Sequence, residues 1–403
     1  MQISGQRLLE DLKTLAGFGQ VDSGVTRLSY SHADRVSRDW LVERMTDAGL
    51  DAAIDGIGNV YGRARDTGQA VLVGSHTDSV PKGGWLDGAM GVMYGLELAR
   101  AWRDAGGAQG KGIDVISFAD EEGTYLPTAG SRAFCGLIEQ NEIDQAKSVT
   151  GKPMTAALSK AGYAGRPVAR LDPARHIAYF EGHIEQGPRL EAAGVRIGVV
   201  TGIVGIGRAE IVFIGRADHA GTTPMALRRD AVNALIACAH RLGQRFTDLA
   251  GADTVWNFGD IRVEPGSRNV VPARASLLVE YRDLSTDRLA AMAAAVETTT
   301  KEVAVELPID VDLVSALGLT PSRMDDQLRK HIDIAVSELG VSAMAMPSGA
   351  GHDAMIVAPI IPSAMIFIPS IGGRSHDISE DSAPEDIVLG AEVLARAIGD
   401  YFS

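Results

Sequence analysis

Short apolar runs rich in β-branched residues alternate with helical spacings along most of the chain. AVLVGSH (70–76), IDVISFAD (113–120) and HIAYFEGH (176–183) read as buried strands, and Gly88 to Ala105 carries small and apolar residues at helical spacing. That alternation predicts an α/β domain whose mixed, mostly parallel sheet is flanked by helices. From about Gly207 the pattern changes to strand (Ala209 to Ile214), helix (Leu227 to Phe246), strand (Thr254 to Val263), strand (Ala275 to Tyr281), helix (Thr286 to Val303) and strand (Ile309 to Leu313). This β-α-β-β-α-β order predicts an inserted ferredoxin-like α+β domain. A helix near Gln327 to Leu339 and the strand Ala364 to Ile368 then resume the first pattern. The expected division is therefore 1–206, an insertion at 207–316, and 317–403 completing the first sheet.

Composition narrows the classes. With 403 residues, 45% hydrophobic and 22% charged, the chain reads as a soluble globular protein of more than one domain. Lysine plus arginine number 38 against 52 acids, a formal charge of −14, the wrong sign for nucleic acid or anionic lipid. The most apolar region, 354–371, is broken by Pro359, Pro362 and Pro369, so no membrane span is expected. Cys135 and Cys238 have no metal or disulfide spacing, and the amino terminus lacks the pattern of an export signal. A cytoplasmic address is expected.

Several acids and histidines fall where these strands end. His76 and Asp78 follow the first strand, and Asp87 lies in GGWLDG at the start of a helix, where it could equally be an N-cap. Glu121 and Glu122 in ADEEG would repel each other unless exposed or facing cations. His183 in EGHIEQG and His376 in GGRSHDISE sit at or after later strands. Each alone reads as an ordinary loop residue. Together they converge on the carboxyl rim of an α/β sheet, where ligands bind. Such a cluster needs positive charge, which two divalent metals per subunit would supply, and thiolate-free ligands suit Zn, Mn, Co or Ni. The economical arrangement has Asp87 bridging two ions, one completed by His76 and His183, the other by Glu122 and His376. Glu121 then remains free to act as a general base, and Asp78 to orient His76 through its second nitrogen. Two metals and a base describe hydrolysis. No nucleotide fingerprint is present; GIVGIG (202–207) lacks the spacing.

The segments GSHTDSV, GGWLDGAMGV, DEEGTYLPTAGSRAF, EGHIEQGPRLE, RADHAGTTPM, RNVVP, EYRD, SGAGHDA and GGRSHDISE resemble successive motifs of one family, over Gly24 to Ile398. It is the amidase/hydantoinase/carbamoylase branch of the dinuclear-metal aminoacylase and carboxypeptidase superfamily, which includes N-carbamoyl-L-amino acid hydrolases, allantoate amidohydrolases and β-ureidopropionases. HIEQG distinguishes this branch from the related peptidases. The resemblance implies the same ligand set, with Glu121 as base, and a homodimer formed through the inserted domain, which also acts as a lid. His219, otherwise a turn histidine, would then cross from one subunit to stabilise the oxyanion in the other. It implies that Asn269 and Arg282 contact the substrate carboxylate, although Arg282 could simply pair with Asp283 or another acid. Gln186 would hold the ureido or amide group, and backbone N–H groups around Gly349 and Gly351 the carboxylate. His352 and Asp353 could structure that loop or meet substrate. Arg374 departs from the family pattern and would add a cation near the pocket, favouring a second anionic group, or point to solvent. The implied activity is hydrolysis of an N-carbamoyl-L-amino acid to the amino acid, ammonia and carbon dioxide. Allantoate, a ureidopropionate or another N-acyl amino acid are the alternatives, and a metal-free dimeric binding protein is the non-enzymatic one.

Overall fold

The computed structural model describes residues 1–107 and 110–403. They form two compact units, Met1–Thr201 with Arg323–Ser403, and Gly202–Ser322. The insertion read from the sequence, 207–316, falls inside the second unit and is shorter at both ends, because strand Gly205–Ile214 begins before Gly207 and strand Asp310–Leu319 runs past 316.

In the first unit four strands run parallel in the order Ser363–Ile368, His176–Ile184, Gln69–His76, Lys111–Phe118. Antiparallel strands flank them, Val60–Ala64 and Leu50–Ile54 on one side and Ile197–Ile203 on the other, within a nine-stranded mixed sheet. The central strands are buried along nearly their whole length, as continuous apolar runs require when both faces are covered. Helix Ala89–Asp104 is buried without interruption from Ala89 to Ala101, so it lies inside the unit and not on its surface. Leu8, Leu12, Leu41, Met45, Leu328, Ile332, Val393 and Leu394 from the outer helices complete this core with Val71, Val73, Val115 and Phe180 of the sheet.

The second unit is a four-stranded antiparallel sheet in the order Val255–Glu264, Arg274–Asp283, Gly205–Ile214, Asp310–Leu319, with helices Ala231–Leu249 and Thr286–Glu306 on one face. This is the ferredoxin-like arrangement. The first helix starts at Ala231, later than the apolar spacing suggests, because the Asp230 side chain accepts from the N–H groups of Val232 and Asn233 and so fixes the helix entry. Ile211, Phe213, Leu242, Phe246, Leu277 and Met292 form its own core. Among the described residues no helix is long and apolar enough to cross a membrane.

Phe213 is fully buried at the centre of that core. Phe213→Ala should lower stability by about 3–5 kcal/mol, read as an earlier urea midpoint for the second unit.

Candidate functional site

His76 ends its strand, and His183 is the last residue but one of its own. The parallel register sets His76 beside Phe118 and His183 beside Phe367, so the loops that follow leave the sheet along one edge. Asp87 comes from the loop after Gln69–His76, Glu121 and Glu122 from the loop after Lys111–Phe118, and His376 from the segment after Ser363–Ile368.

Two sets of side chains converge there. Ligand-type atoms of His76, Asp87 and His183 lie within 4.8 Å of one another, and so do those of Asp87, Glu122 and His376. Asp87 belongs to both. Its Oδ1 stands 3.2 Å from His183 Nε2 and 4.0 Å from His76 Nε2, and its Oδ2 stands 3.2 Å from His376 Nε2. It is not a helix cap, since Gly88 holds the cap position of helix Ala89–Asp104 and no side chain caps it. Gly88 has φ 65°, and a Cβ on it would sit 2.3 Å from His76 Nε2, so only glycine lets the helix begin against that ring.

The far nitrogens orient the rings. His76 Nδ1 donates to the Asp78 carbonyl at 3.0 Å and His183 Nδ1 to the Ile184 carbonyl at 2.9 Å, an assignment that turns both Nε2 atoms toward the site, where His183 Nε2 also lies 3.1 Å from the Gly88 nitrogen. The Asp78 carboxylate, expected to hold His76, is 3.7 Å from that nitrogen. It accepts instead from Ser29 Oγ and from the N–H groups of Glu121 and Glu122. The chain turns directly after His76 and brings the Asp78 carbonyl under the ring, so the side chain acts on the glutamate turn.

Burial pushes the Asp87 carboxyl up, but hydrogen bonds from His183 and His376 outweigh it and hold the group well below the ordinary range. Glu122 moves the opposite way, pushed up to about 8 by burial and then by the charge of Asp87. Its buried Oε1 has no hydrogen-bond partner among the described residues. His376 rises to about 9, chiefly through its hydrogen bond to Asp87. Glu121 belongs to neither set. Its Oε2 lies 3.6 Å from His76 Nε2, and burial followed by the charges of Asp353 and Glu122 raises it well above the usual carboxyl range. Acids packed this closely need a compensating charge. The orphaned Glu122 oxygen and the inward-facing Nε2 of His76 fit a divalent cation, whereas His183 Nε2, 3.1 Å from the Gly88 nitrogen and 3.2 Å from Asp87 Oδ1, would exchange those contacts for one.

Gln186, expected to meet substrate, donates through its amide nitrogen to Asp87 Oδ2 at 3.1 Å and Ser375 Oγ at 3.0 Å. Gly349 and Gly351 lie in a turn tied by Ser348 Oγ, which accepts from the Ala350 N–H and hydrogen-bonds His352 Nε2 at 2.8 Å. His352 is buried with its ring 4.5 Å from that of His183, edge to face, so it supports both the loop and a site histidine. Arg374 is exposed and donates to Ser379 Oγ. In the second unit His219 is exposed, and its Nδ1 accepts from the N–H groups of Gly221 and Thr222, which puts the proton of a neutral ring on Nε2. Asn269 accepts from Ser267 Oγ through its carbonyl oxygen. Arg282 pairs with Glu280 at 2.6 Å, while Asp283 is engaged by Arg288.

Residues 72–400 match the sequence profile of peptidase family M20/M25/M40. The N-carbamoyl-L-amino acid amidohydrolase of Geobacillus stearothermophilus is 36% identical over 404 residues, 98% of this chain and 98% of that protein. The chain belongs to this family. Within it, the chain lies in the hydantoinase/carbamoylase branch: an amidase of that group from Burkholderia phymatum superposes with a TM-score of 0.94 at 47% identity, over 100% of this chain and 98% of that one. The allantoate amidohydrolase of Escherichia coli is 34% identical over 398 residues, 97% of this chain and 96% of that protein.

Two acids of this cluster were not singled out from the sequence. Glu181 shares a strand face with His183 and accepts from Ser75 Oγ, Tyr179 Oη and the Ala354 N–H. With His183 and His352 it forms a further close set of ligand-type atoms. Its signal was an acid at period two from a histidine inside an apolar strand. Glu380, in the same short motif as His376, is buried and pushed up to about 7 by burial and then by the charge of Asp87.

With Glu122 near 8 and His376 near 9, both groups hold protons at pH 7 and must lose them to bind a cation. Uptake of Mn²⁺ at pH 7 should therefore release protons, and affinity should rise with pH through that range. Calorimetry in buffers of different ionisation heat checks this.

Proposed function

We propose that the chain is an amidohydrolase that uses two divalent cations per subunit to hydrolyse N-carbamoyl-L-amino acids to the amino acid, ammonia and carbon dioxide. The observation that carries this reading is the sharing of Asp87 by two ligand sets, with Glu121 outside both. His76, Asp87 and His183 would hold one cation and Asp87, Glu122 and His376 the other. Bound there, the cations would polarise the substrate carbonyl and acidify a water.

Glu121 would take the proton of the attacking water on its carboxylate and pass it to the departing nitrogen. Asp78 holds the turn that presents Glu121, through the N–H groups it accepts. His219 donates from Nε2 to the developing oxyanion, supported by the two N–H groups that occupy its Nδ1. It does so across a homodimer built on the second unit, which also serves as lid. Arg282 and the amide nitrogen of Asn269 bind the substrate carboxylate, with N–H groups near Gly349 and Gly351; the fork of Arg282 exchanges Glu280 for the substrate. Gln186 holds Asp87 through its nitrogen and keeps its carbonyl oxygen to accept from the ureido group. Relatives named for carbamoyl amino acids and for allantoate stand at similar identity, so allantoate is the leading alternative substrate, followed by ureidopropionate and other N-acyl amino acids.

Ammonia release from Mn²⁺-, Zn²⁺-, Co²⁺- and Ni²⁺-loaded protein should be fastest with N-carbamoyl-L-amino acids; faster turnover of allantoate would reassign the substrate. Glu121→Gln should keep its metal content while kcat drops about 10²–10⁴-fold. Glu121→Gln and His219→Ala chains should each be nearly inactive alone, yet regain activity when dissociated and mixed, because one hybrid site then has both groups. Failure of mixing to restore turnover would place His219 within its own subunit, and an active His219→Ala chain would place it outside the reaction.

A further inference from the structure

The segment that carries His376 and the turn that carries Asp87 are joined by a buried acid with no part in the mechanism above. Glu380 is 1% exposed. Its Oε1 accepts from the N–H groups of Leu86 at 3.1 Å and Asp87 at 3.0 Å, and its Oε2 accepts from Ser375 Oγ at 2.8 Å. Ser375 Oγ in turn accepts from Gln186 Nε2 at 3.0 Å, and the same nitrogen donates to Asp87 Oδ2 at 3.1 Å. The hydrogen bonds therefore close a ring. It runs from the Asp87 backbone through Glu380, Ser375 and Gln186 to the Asp87 carboxylate.

Asp87 is thus gripped at both ends, and the grip reaches the neighbour of His376. The surroundings are shaped for it. A Cβ on Gly84 would lie 1.8 Å from Glu380 Oε1, so the space a side chain would fill beside the Asp87 turn is occupied by this carboxylate. The arrangement places one buried acid against another without an arginine or lysine in the ring. Burying a charge this way costs stability, so an apolar residue would serve better if the role were packing alone.

We propose that Glu380 is a positioning residue. It locks the Asp87 turn to the His376 segment and sets the two oxygens of Asp87 toward their separate imidazoles before any cation arrives. The inference rests on the metal centre proposed above. Groups that orient ligands in this way typically change metal affinity by about 10- to 100-fold when removed.

The test uses the full chain stripped by chelator and titrated with Mn²⁺ alone in a calorimeter. Hydrogen exchange of the 84–88 peptide is followed before metal is added. Glu380→Ala should weaken Mn²⁺ binding about 10- to 100-fold and speed exchange at Leu86 and Asp87. Glu380→Gln should recover most of the affinity, because its carbonyl oxygen still accepts from both N–H groups. Ser375→Ala should fall between them. Wild-type affinity in Glu380→Ala overturns the lock, as does a Gln variant no better than Ala. If Glu380→Ala does not fold, wild-type affinity in both Ser375→Ala and Gly84→Ala overturns it. Unchanged affinity in the variants leaves the metal centre standing, whereas a wild-type chain that takes up no Mn²⁺ overturns the metal centre and the lock together.

Discussion

The crowding of acids at the carboxyl ends of four parallel strands is the constraint on which the rest of this structure depends. Asp78, Asp87, Glu181, Asp353 and Glu380 are all buried, and Glu121 and Glu122 lie beside them with most of their surface covered. Each would be costly alone. The chain meets part of the cost with its own dipoles: Glu121 and Glu122 present their N–H groups to Asp78, Leu86 and Asp87 present theirs to Glu380, and Ala354 presents its own to Glu181. The compensation is incomplete. Neither Asp353 oxygen has a hydrogen-bond partner among the described residues, nor has Glu122 Oε1. An incompletely neutralised pocket of this kind is a strong attractor for cations.

The sheet makes that crowding possible because its parallel strands end in register. Antiparallel neighbours would have sent alternate loops to opposite edges and divided the acids between them. Helix Ala89–Asp104 contributes in a second way. Its glycine start packs against the His76 ring and gives its N–H to His183, so the element that forms the buried core also fixes two of the site's imidazoles.

Much of this was legible in the sequence, and the reasons are specific. Continuous apolar runs ending in His76 and His183 gave both the strands and the edge at which the histidines stand. In the second unit the succession of strand, helix, strand, strand, helix and strand gave the ferredoxin-like order, and along Arg274–Asp283 buried positions alternate with exposed or half-buried ones. What remained hidden depended on main-chain geometry. The Asp78 carbonyl, and not its carboxylate, meets His76, and a two-residue spacing cannot distinguish them. Gln186 turns toward Asp87 and Ser375 from a left-handed backbone conformation, φ 58°, that its motif did not announce. Glu380 looked like one more acid in a polar loop, because its partners lie far away along the chain.

The hydrogen bonds that close around Asp87 join positions near the beginning of the chain to the segment just before its last helix, Pro384–Tyr401. A ribosome must therefore add 293 residues after Asp87 before these loops can meet. A nascent chain that stops before Ser375 carries most of the acids and histidines yet lacks the piece that draws them together, so the cluster closes late and all at once.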